Sequence, residues 1–327
     1  MRLAWFAPSN VDGPTDTPHL IRALGLRHQI DVIDARAAHD FVWQHARRPY
    51  DMCVYELDNT SAHQYVLPYL VHYPGITRLH CVTLQASRAG TLERERRFDD
   101  FAREFAFAHP GVTPPMVRAW GLVAPGSWPM LAVPLLSSRL TVVAHAAVAE
   151  ALTADYPGVR IRSVFPGVEP LVDGGDDTVV SLKWPVAGAP LIDAHAGFAA
   201  GRPVIVFDCP ETADWPSINP QDWQPRSAAE PICIAIDPRD ADHSLRLASG
   251  RLARDADLRL RLGTAARAWW RAHATVEQAA ARFEEVLEEA RNCSPPPRPD
   301  GWPAHMSEDG FARARAVLNA IGVELPF

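Results

Sequence analysis

The chain has 327 residues, and 47% of them are hydrophobic, which is enough for two domains of ordinary size and excludes a disordered chain. Its formal net charge of −7 argues against a nucleic-acid-binding surface as the main function. The five cysteines form no Cys-x-x-Cys pair, which is typical of a reducing cytoplasm and offers no zinc site. No apolar run reaches the ~18 residues needed to span a bilayer, and the N-terminus predicts a β-strand rather than a signal peptide. We therefore expect a soluble cytoplasmic protein without a transmembrane segment.

Short apolar runs alternate with amphipathic stretches through the first half of the chain. This alternation is typical of βαβ units and a parallel sheet, and it predicts a Rossmann-like domain over residues 1–168. The predicted strands are Arg2–Phe6, Gln29–Ile33, Met52–Glu56, Ile76–Val82, Leu140–Ala144 and Val159–Val164. The predicted helices are Thr17–Leu24, Ala62–His72, Leu92–Ala108 and Ala146–Ala154.

The second half predicts a shorter domain of the same kind over residues 178–293, joined by a linker at 169–177. Only three strands are predicted there, and a further βαβ unit of about 30 residues does not fit before the first of them. The predicted strands are Thr178–Leu182, Pro203–Phe207 and Ile232–Ile236, and the helices are Ala241–Arg254, Ala256–Ala272 and Thr275–Arg291. The sequence therefore predicts an α/β fold whose second domain is truncated.

Residues 294–327 differ in composition from the rest of the chain. Prolines cluster in Ser294–Pro303, which predicts a stiff linker. Apolar residues at helical spacing over Ser307–Ile321 then predict one tail helix. The sequence leaves open whether this helix packs on the body or is detached.

The most specific pattern spans residues 50–84. It reads Tyr-Asp, an apolar strand, Asn59, a His four residues later, a helix, Pro-Gly, and a strand that ends in Leu-His80. This order resembles a block of bacterial family-4 glycosyltransferases, which are retaining enzymes with two Rossmann-like domains in the GT-B arrangement. In that family the strand-end His contacts the transferred sugar, so the resemblance makes His80 the candidate catalytic residue. Two positions depart from the block, because Asp58 stands where the family has Gly and Cys81 where it has Asp.

Asn59 and His63 match the same block, across a strand-to-helix turn, and are candidate substrate-binding residues. Structural explanations remain open for each of these polar side chains. Asn59 begins an Asn-Thr-Ser run that is a natural helix N-cap. His63 could hydrogen-bond within its domain, and His80 could be a satisfied histidine at a strand end.

The stretch VSLKWPVAGAPLIDAHAGFAAGRP, residues 180–203, resembles the nucleotide-sugar-binding motif of the same family. That motif runs strand, Pro-containing loop and helix, and then small-small-Gly-Arg/Thr-Pro. Its frame is kept in Gly188 and in Ala199–Pro203. The family's helix carries glutamates that hold the nucleotide sugar, and the corresponding positions here are Ala189 and Ala196.

Lys183, Gly188 and Asp193 are the candidate substrate-binding residues of this stretch. Lys183 is the remaining cation near the loop, and snorkelling from a strand end is its alternative explanation. Asp193 is the only acid on the predicted helix, and a shift of one turn would let it replace a lost glutamate on the same helix face.

Two weaker matches complete the predicted site. The segment FAPSNVDGPTDTPHLIRAL, residues 6–24, resembles the family's first strand, loop and helix, which makes Asn10 and Gly13 candidate substrate-binding residues. Such a loop directs backbone N–H groups and a helix N-terminus to the carboxyl edge of a sheet. The strand and helix around His145 resemble the family's Val-His-Ser segment, which adds His145. Neither His80 nor His145 has a recognisable partner carboxylate in the sequence.

The resemblance implies a glycosyltransferase that moves a sugar from a nucleotide-sugar donor to a glycan or glycoconjugate acceptor, without a cofactor. The adjacent pairs Asp99-Asp100 and Asp176-Asp177 lie in polar contexts and form no convincing Asp-x-Asp motif, so we predict no metal. The replaced acids leave two alternatives. One is a non-catalytic relative that binds a glycan, a nucleotide or a transferase subunit. The other is a fold kept as an interaction module, whose tail helix docks on a protein partner.

Overall fold

The computed structural model describes residues 1–9, 15–113, 115–117, 128–170, 178–183, 188–307, 320 and 322. These residues form two parallel sheets with helices packed on them. The first sheet has six strands in the order β2-β1-β3-β4-β5-β6. The strands are β1 (Arg2–Phe6), β2 (Gln29–Ile33), β3 (Met52–Leu57), β4 (Ile76–Leu79), β5 (Leu140–Val143) and β6 (Ile161–Ser163). Its helices are α1 (Thr17–Leu24), α2 (Ala38–Arg47), α3 (Val66–His72), α4 (Gln85–Arg94), α5 (Phe98–Ala108), α6 (Ala132–Ser137) and α7 (Ala146–Asp155).

The second sheet has four strands in the order β7-β8-β10-β9, again all parallel. The strands are β7 (Val179–Ser181), β8 (Val204–Phe207), β9 (Ser217–Ile218) and β10 (Cys233–Ile236). The helices that follow in the chain are α8 (Ile192–Ala200), α9 (Ala241–Arg254), α10 (Ala256–His273) and α11 (Val276–Arg291). The central strands β8 and β10 are buried throughout, which explains why continuous apolar runs specify them. The two-residue strand β9 adds a fourth member that the sequence did not predict.

Two predicted helices differ from the structure. The helix predicted at Leu92–Ala108 is two helices, because α4 ends before Arg96, whose φ of +56° lies in the left-handed region. The helix predicted at Ala62–His72 begins at Val66, after a 3₁₀ turn over Ser61–His63. Helices α2 and α6 were not predicted, and the other predicted strands and helices are present with end shifts of at most a few residues.

Helix α11 crosses to the first sheet, although the sequence assigned it to the second domain. Its Phe283 ring lies 5.3 Å from the ring of Trp5 on β1, and its apolar face joins the core that includes Leu20 and Leu24 of α1. A helix that follows the second sheet in sequence thus completes the core of the first. The predicted second domain, residues 178–293, thus includes a helix that packs on the first sheet.

The proline-rich segment also packs on the six-stranded half, so it is not a free linker. Arg139 Nη1 donates to the carbonyl of Cys293 at 3.1 Å, and Arg298 Nη2 donates to the carbonyl of Val71 at 3.1 Å. Met306 is buried in the other core of this half, which includes Leu70 and Val71 of α3. The predicted tail helix, residues 307–321, falls almost entirely outside the described residues.

The two sheets meet through segments that follow their carboxyl edges. Gly188, beyond the end of β7, packs against Val82 beyond β4 and Val148 of α7. His145 Nε2, just beyond β5, lies 2.8 Å from the carbonyl oxygen of Ala189. We call this contact region, residues 82, 145, 148 and 188–189, the junction. It brings the loop ends of both parallel sheets together, where α/β folds bind their ligands.

The close packing of α8 on α10 in the second half can be tested by substitution at a glycine. A Cβ at Gly263 on α10 would overlap the carbonyl oxygen of Gly201, which ends α8. We expect Gly263→Ala to lower the free energy of unfolding by about 1–3 kcal/mol, because overpacking outweighs the gain in helix propensity. Urea denaturation of both proteins measures the difference.

Gly250 is the matched control, since it is also helical and a Cβ there would meet only the end of the Arg254 side chain at 3.5 Å. Gly250→Ala should stabilise the protein by about 0.5–1 kcal/mol. Stabilisation by both substitutions would contradict the close approach of the two helices.

Candidate functional site

The first part of the site is a buried carboxylate, Glu56, near the carboxyl end of β3. Its side chain is 2% exposed. Glu56 Oε1 accepts hydrogen bonds from Trp5 Nε1 at 2.8 Å and from Arg78 Nη1 at 2.8 Å. Glu56 Oε2 accepts from Thr17 Oγ1 at 3.0 Å and pairs with His80 Nε2. Four side chains, from β1, α1, β4 and the segment just beyond β4, therefore meet around this one carboxylate.

The parallel ladder between β3 and β4 explains this arrangement. Glu56 and Arg78 are register partners, so their side chains lie beside each other on one face. His80 follows Arg78 by two residues, which returns it to the same face beyond the strand end. Arg78 Nη2 also contacts both carboxylate oxygens of Asp16, at 3.0 and 2.9 Å, just before α1. Asp16, Glu56, Arg78 and His80 form a chain of alternating charges, which we call the charge quartet.

The quartet sets the charge state of His80. Burial alone would raise the pKa of Glu56, but the charges and hydrogen bonds of Arg78 and His80 outweigh it and hold that pKa well below its ordinary value. Burial alone would lower the pKa of His80, yet the charge and hydrogen bond of Glu56 outweigh that effect and raise it. His80 is consequently favoured as an imidazolium, with its side chain 15% exposed and Nδ1 without a partner among the described residues.

The carboxylate partner of His80 is a correction to the sequence analysis, which recognised none. Glu56 lies in the predicted strand, and Arg78 and Asp16 were also missed. One signal was present in the sequence, because a glutamate inside the apolar run Met-Cys-Val-Tyr-Glu-Leu is seldom buried unless it is paired. The identity of the partners depends on strand order, which the run alone does not give.

Asn59 and His63 lie near His80 but bond within the first half of the chain. Asn59 Oδ1 accepts from the backbone N–H of Ser87 at 3.0 Å, in the first turn of α4, so it caps a different helix from the one predicted. His63 is 5% exposed and its Nδ1 lies 2.8 Å from Thr60 Oγ1. Burial, followed by the charge of His80, lowers the pKa of His63. The ring centres of His63 and His80 are 6.5 Å apart.

The second half contributes Lys183 and Asp193, which the structure brings together. Lys183 Nζ lies 3.4 Å from Asp193 Oδ2, and both side chains are close to half exposed, so the pair is weak and easily separated. Asp193 lies in the first turn of α8. Asn10 and Gly13, the other predicted substrate-binding residues, lie outside the described residues.

Gly188 occupies a position that only glycine suits. Its φ is +79°, and a Cβ there would lie 2.8 Å from Val82 Cγ1. Its N–H donates to Glu211 Oε1 at 3.0 Å, and Glu211 is itself buried. The glycine therefore permits the loop before α8 to touch the first half of the chain.

The two positions predicted to have lost acids lie in apolar or closed surroundings. Ala196 is 7% exposed on α8, and the carbonyl of Ala189 accepts from His145, whose pKa is lowered by burial. The neighbouring His195 is fully buried, and neither of its ring nitrogens has a partner among the residues that the structure describes. Rings around it belong to Phe165, Phe198, Trp215 and Trp269. Burial, together with the charge of His145, lowers the pKa of His195 to about 3.

The described residues also bear on metal binding and on membrane crossing. No group of three or more His, Cys, Asp or Glu side chains is arranged there to hold a metal ion. Among the described helices, none combines the length and apolar character that a membrane crossing requires.

Comparison with solved structures identifies the class of fold. Two parallel sheets joined at their carboxyl edges are found in the GT-B glycosyltransferase fold, and this chain has a fold of that type. One similar structure is sucrose-phosphate synthase from Thermosynechococcus elongatus, with a TM-score of 0.54 and 12% sequence identity over 88% of this chain and 98% of that chain. At this identity the likeness concerns the fold alone and does not single out family 4. No protein-family model and no curated protein sequence matches the chain.

The buried His195 gives a pH-dependent test. Its pKa is about 3 in the folded protein and ~6.5 in an unfolded chain, so below pH ~6.5 only the unfolded chain takes up the proton. Stability should therefore fall as the pH decreases from ~6.5 toward 3, by up to about 1.4 kcal/mol per pH unit from this group. His195→Phe should reduce that slope, as measured by urea unfolding at pH 7, 6, 5 and 4.

His39→Phe is the control, since His39 is 75% exposed on α2 and should leave the slope unchanged. At pH 7 His195→Phe should also stabilise the fold by about 1 kcal/mol, because a buried polar ring without partners is replaced by an apolar one. An unchanged slope in His195→Phe would show that the ring is protonated in the folded protein.

Proposed function

We propose that the chain is a glycosyltransferase that moves a sugar from a nucleotide-sugar donor to a glycan or glycoconjugate acceptor at the junction. The observation that carries this proposal is the charge quartet, which presents His80 as an imidazolium at the carboxyl edge of the first sheet. The fold supplies the class, and the quartet supplies a charged group at the place where α/β folds bind ligands.

In this proposal His80 donates its Nδ1–H to an oxygen of the donor. A nucleotide sugar carries two phosphates, and breaking its sugar–phosphate bond develops negative charge on the leaving diphosphate. Preorganised donors that are stronger toward the transition state than toward the ground state accelerate such a step. Glu56 fixes the ring through Nε2, and Arg78 keeps Glu56 ionised. Glu56 and Arg78 are positioning residues, and His80 is the catalytic residue.

The second half of the chain would hold the nucleotide. Lys183 lies just beyond β7, ahead of the loop before α8, and its exposed pairing with Asp193 can exchange for a phosphate at little cost. Gly188 lets the loop approach the first half of the chain. The proposal includes two Rossmann-like domains, residues 1–168 and a shortened 178–293. It also includes a cytoplasmic location and no metal requirement.

One observation favours a second function, binding without transfer. Ala196 is buried in α8, and Ala189 has its carbonyl engaged by His145, so neither position offers a carboxylate to a donor. The nearby carboxylate of Glu211 accepts from the N–H of Gly188. A relative with this arrangement could hold a nucleotide or glycan, or a partner subunit, without turning it over.

Calorimetric titration with UDP, GDP, ADP and dTDP, each with and without magnesium, tests the donor site. We expect one nucleotide to bind with a Kd in the micromolar range, and its nucleotide sugars to be the donors assayed for turnover. Binding should weaken as the pH rises through the raised pKa of His80, because the imidazolium loses its charge. Nucleotide binding without turnover of any donor would favour the second function, and no binding to any nucleotide would overturn both the donor site and the transferase.

His80→Gln should raise the Kd of the matching nucleotide sugar at least tenfold, about 1.4 kcal/mol, and remove its pH dependence. Glutamine can still donate an N–H to Glu56, so the fold should be kept. His72→Gln, on the exposed end of α3, is the matched control and should leave Kd and turnover unchanged. Equal Kd values for His80→Gln and the unaltered protein would exclude His80 from the site.

A further inference from the structure

A cavity lies on the six-stranded half, and none of its lining residues belongs to the junction. Its walls come from the ends of α5 and α7, from α6, and from residues 299–304, which we call the strap. The strap is anchored on both sides. Arg298 Nη2 donates to the carbonyl of Val71 at 3.1 Å, and His305 Nε2 lies 2.8 Å from Glu104 Oε1. A chain segment held at both ends therefore forms one wall of an open cavity, and α5, α6 and the end of α7 form the others.

Aromatic rings line this space from several directions. Trp302, on the strap, meets Phe107 edge to face with ring centres 5.5 Å apart. Trp128 meets His109 in the same way at 5.0 Å, and Tyr156 adds a ring at the end of α7. Rings that are large, rigid and only partly covered provide apolar contact area at low entropic cost.

Hydrogen-bonding groups without partners lie among these rings. Trp302 Nε1 and His109 Nε2 have no partner in the described parts of the chain, but the protein covers both atoms and a ligand in the cavity does not reach them. The accessible groups are the exposed carboxylates of Asp155 and Asp300, and no hydrogen bond joins either of them to a described residue. These carboxylates can accept hydrogen bonds from a ligand that carries hydroxyl groups, and a purely apolar ligand would leave them unused.

We propose that this cavity binds a neutral oligosaccharide. A pyranose ring has an apolar C–H face that fits against an aromatic ring and an edge of hydroxyl groups that donate hydrogen bonds to carboxylates. An anionic ligand is disfavoured, because Asp155 and Asp300 would repel it and the one lining guanidinium, Arg103, is paired with Asp100. This inference is independent of sugar transfer, since a binding protein without turnover would use the same cavity.

Calorimetric titration of the full chain with four neutral hexasaccharides tests the proposal: maltohexaose, cellohexaose, mannohexaose and chitohexaose. At least one should bind with a Kd of about 1 mM or tighter. Trp302→Ala should raise that Kd at least tenfold, because it removes the ring that the strap places in the cavity. Asp300→Ala should raise it about threefold, and it lies on the exposed part of the strap, where a substitution leaves the core intact.

Trp43→Ala is the matched control, because Trp43 is 62% exposed on α2 and does not line the cavity. Failure of all four saccharides to bind would overturn the proposal. The proposal would also be overturned if Trp302→Ala and Asp300→Ala both bound the saccharide as tightly as the unaltered protein. Tighter binding of hexagalacturonate than of every neutral hexasaccharide would overturn it as well. Nucleotide titrations of the same samples separate the two proposals. If the protein binds a saccharide but no nucleotide, the result counts against the transferase alone. If it binds a nucleotide but no saccharide, the result counts against this cavity alone.

Discussion

The ionised carboxylate of Glu56 is the group on which the first half of the molecule depends. A buried charge is tolerated only when partners and hydrogen bonds replace the water that it has lost. Here the four partners come from three separate elements and their ends, since Trp5 lies on β1, Thr17 begins α1, Arg78 lies on β4 and His80 follows β4. The register of β3 with β4 and the docking of α1 must therefore all be correct at once. The same requirement fixes His80, so fold and site are specified by one cluster.

The two halves of the chain differ in the groups that they bring to the candidate site. The first half contributes His80, whose pKa the buried carboxylate of Glu56 raises. On α8 of the second half, His195 is neutral among aromatic rings and Ala196 carries no acid. This asymmetry explains why the fold alone does not decide between transfer and binding. The proposed transfer needs His80 of the first half and a nucleotide held by the second half, where the candidate residue Lys183 is only weakly paired.

Local patterns predicted most of the fold and only part of the site. Continuous apolar runs identified the central strands, because both of their faces are buried, and α1 and α9 began and ended where the pattern did. The break between α4 and α5 was missed, because helical periodicity continues across a single left-handed residue, Arg96. Long-range relations were missed for a different reason. Neither the pairing of Glu56 with His80 nor the contact of Phe283 with Trp5 leaves a trace in local sequence.

The closed junction is energetically compatible with the proposed donor site. One neutral hydrogen bond, from His145 to the carbonyl of Ala189, joins the halves there, and such a bond contributes about 0.5–1.5 kcal/mol. Gly188 adds apolar contact with Val82 and Val148, which is worth a few kcal/mol at most. Micromolar binding of a nucleotide corresponds to a net release of about 8 kcal/mol. That net value already includes any cost of opening, so a nucleotide that separates the junction must gain the energy of these contacts in addition, whereas a ligand with few contacts would leave the junction closed.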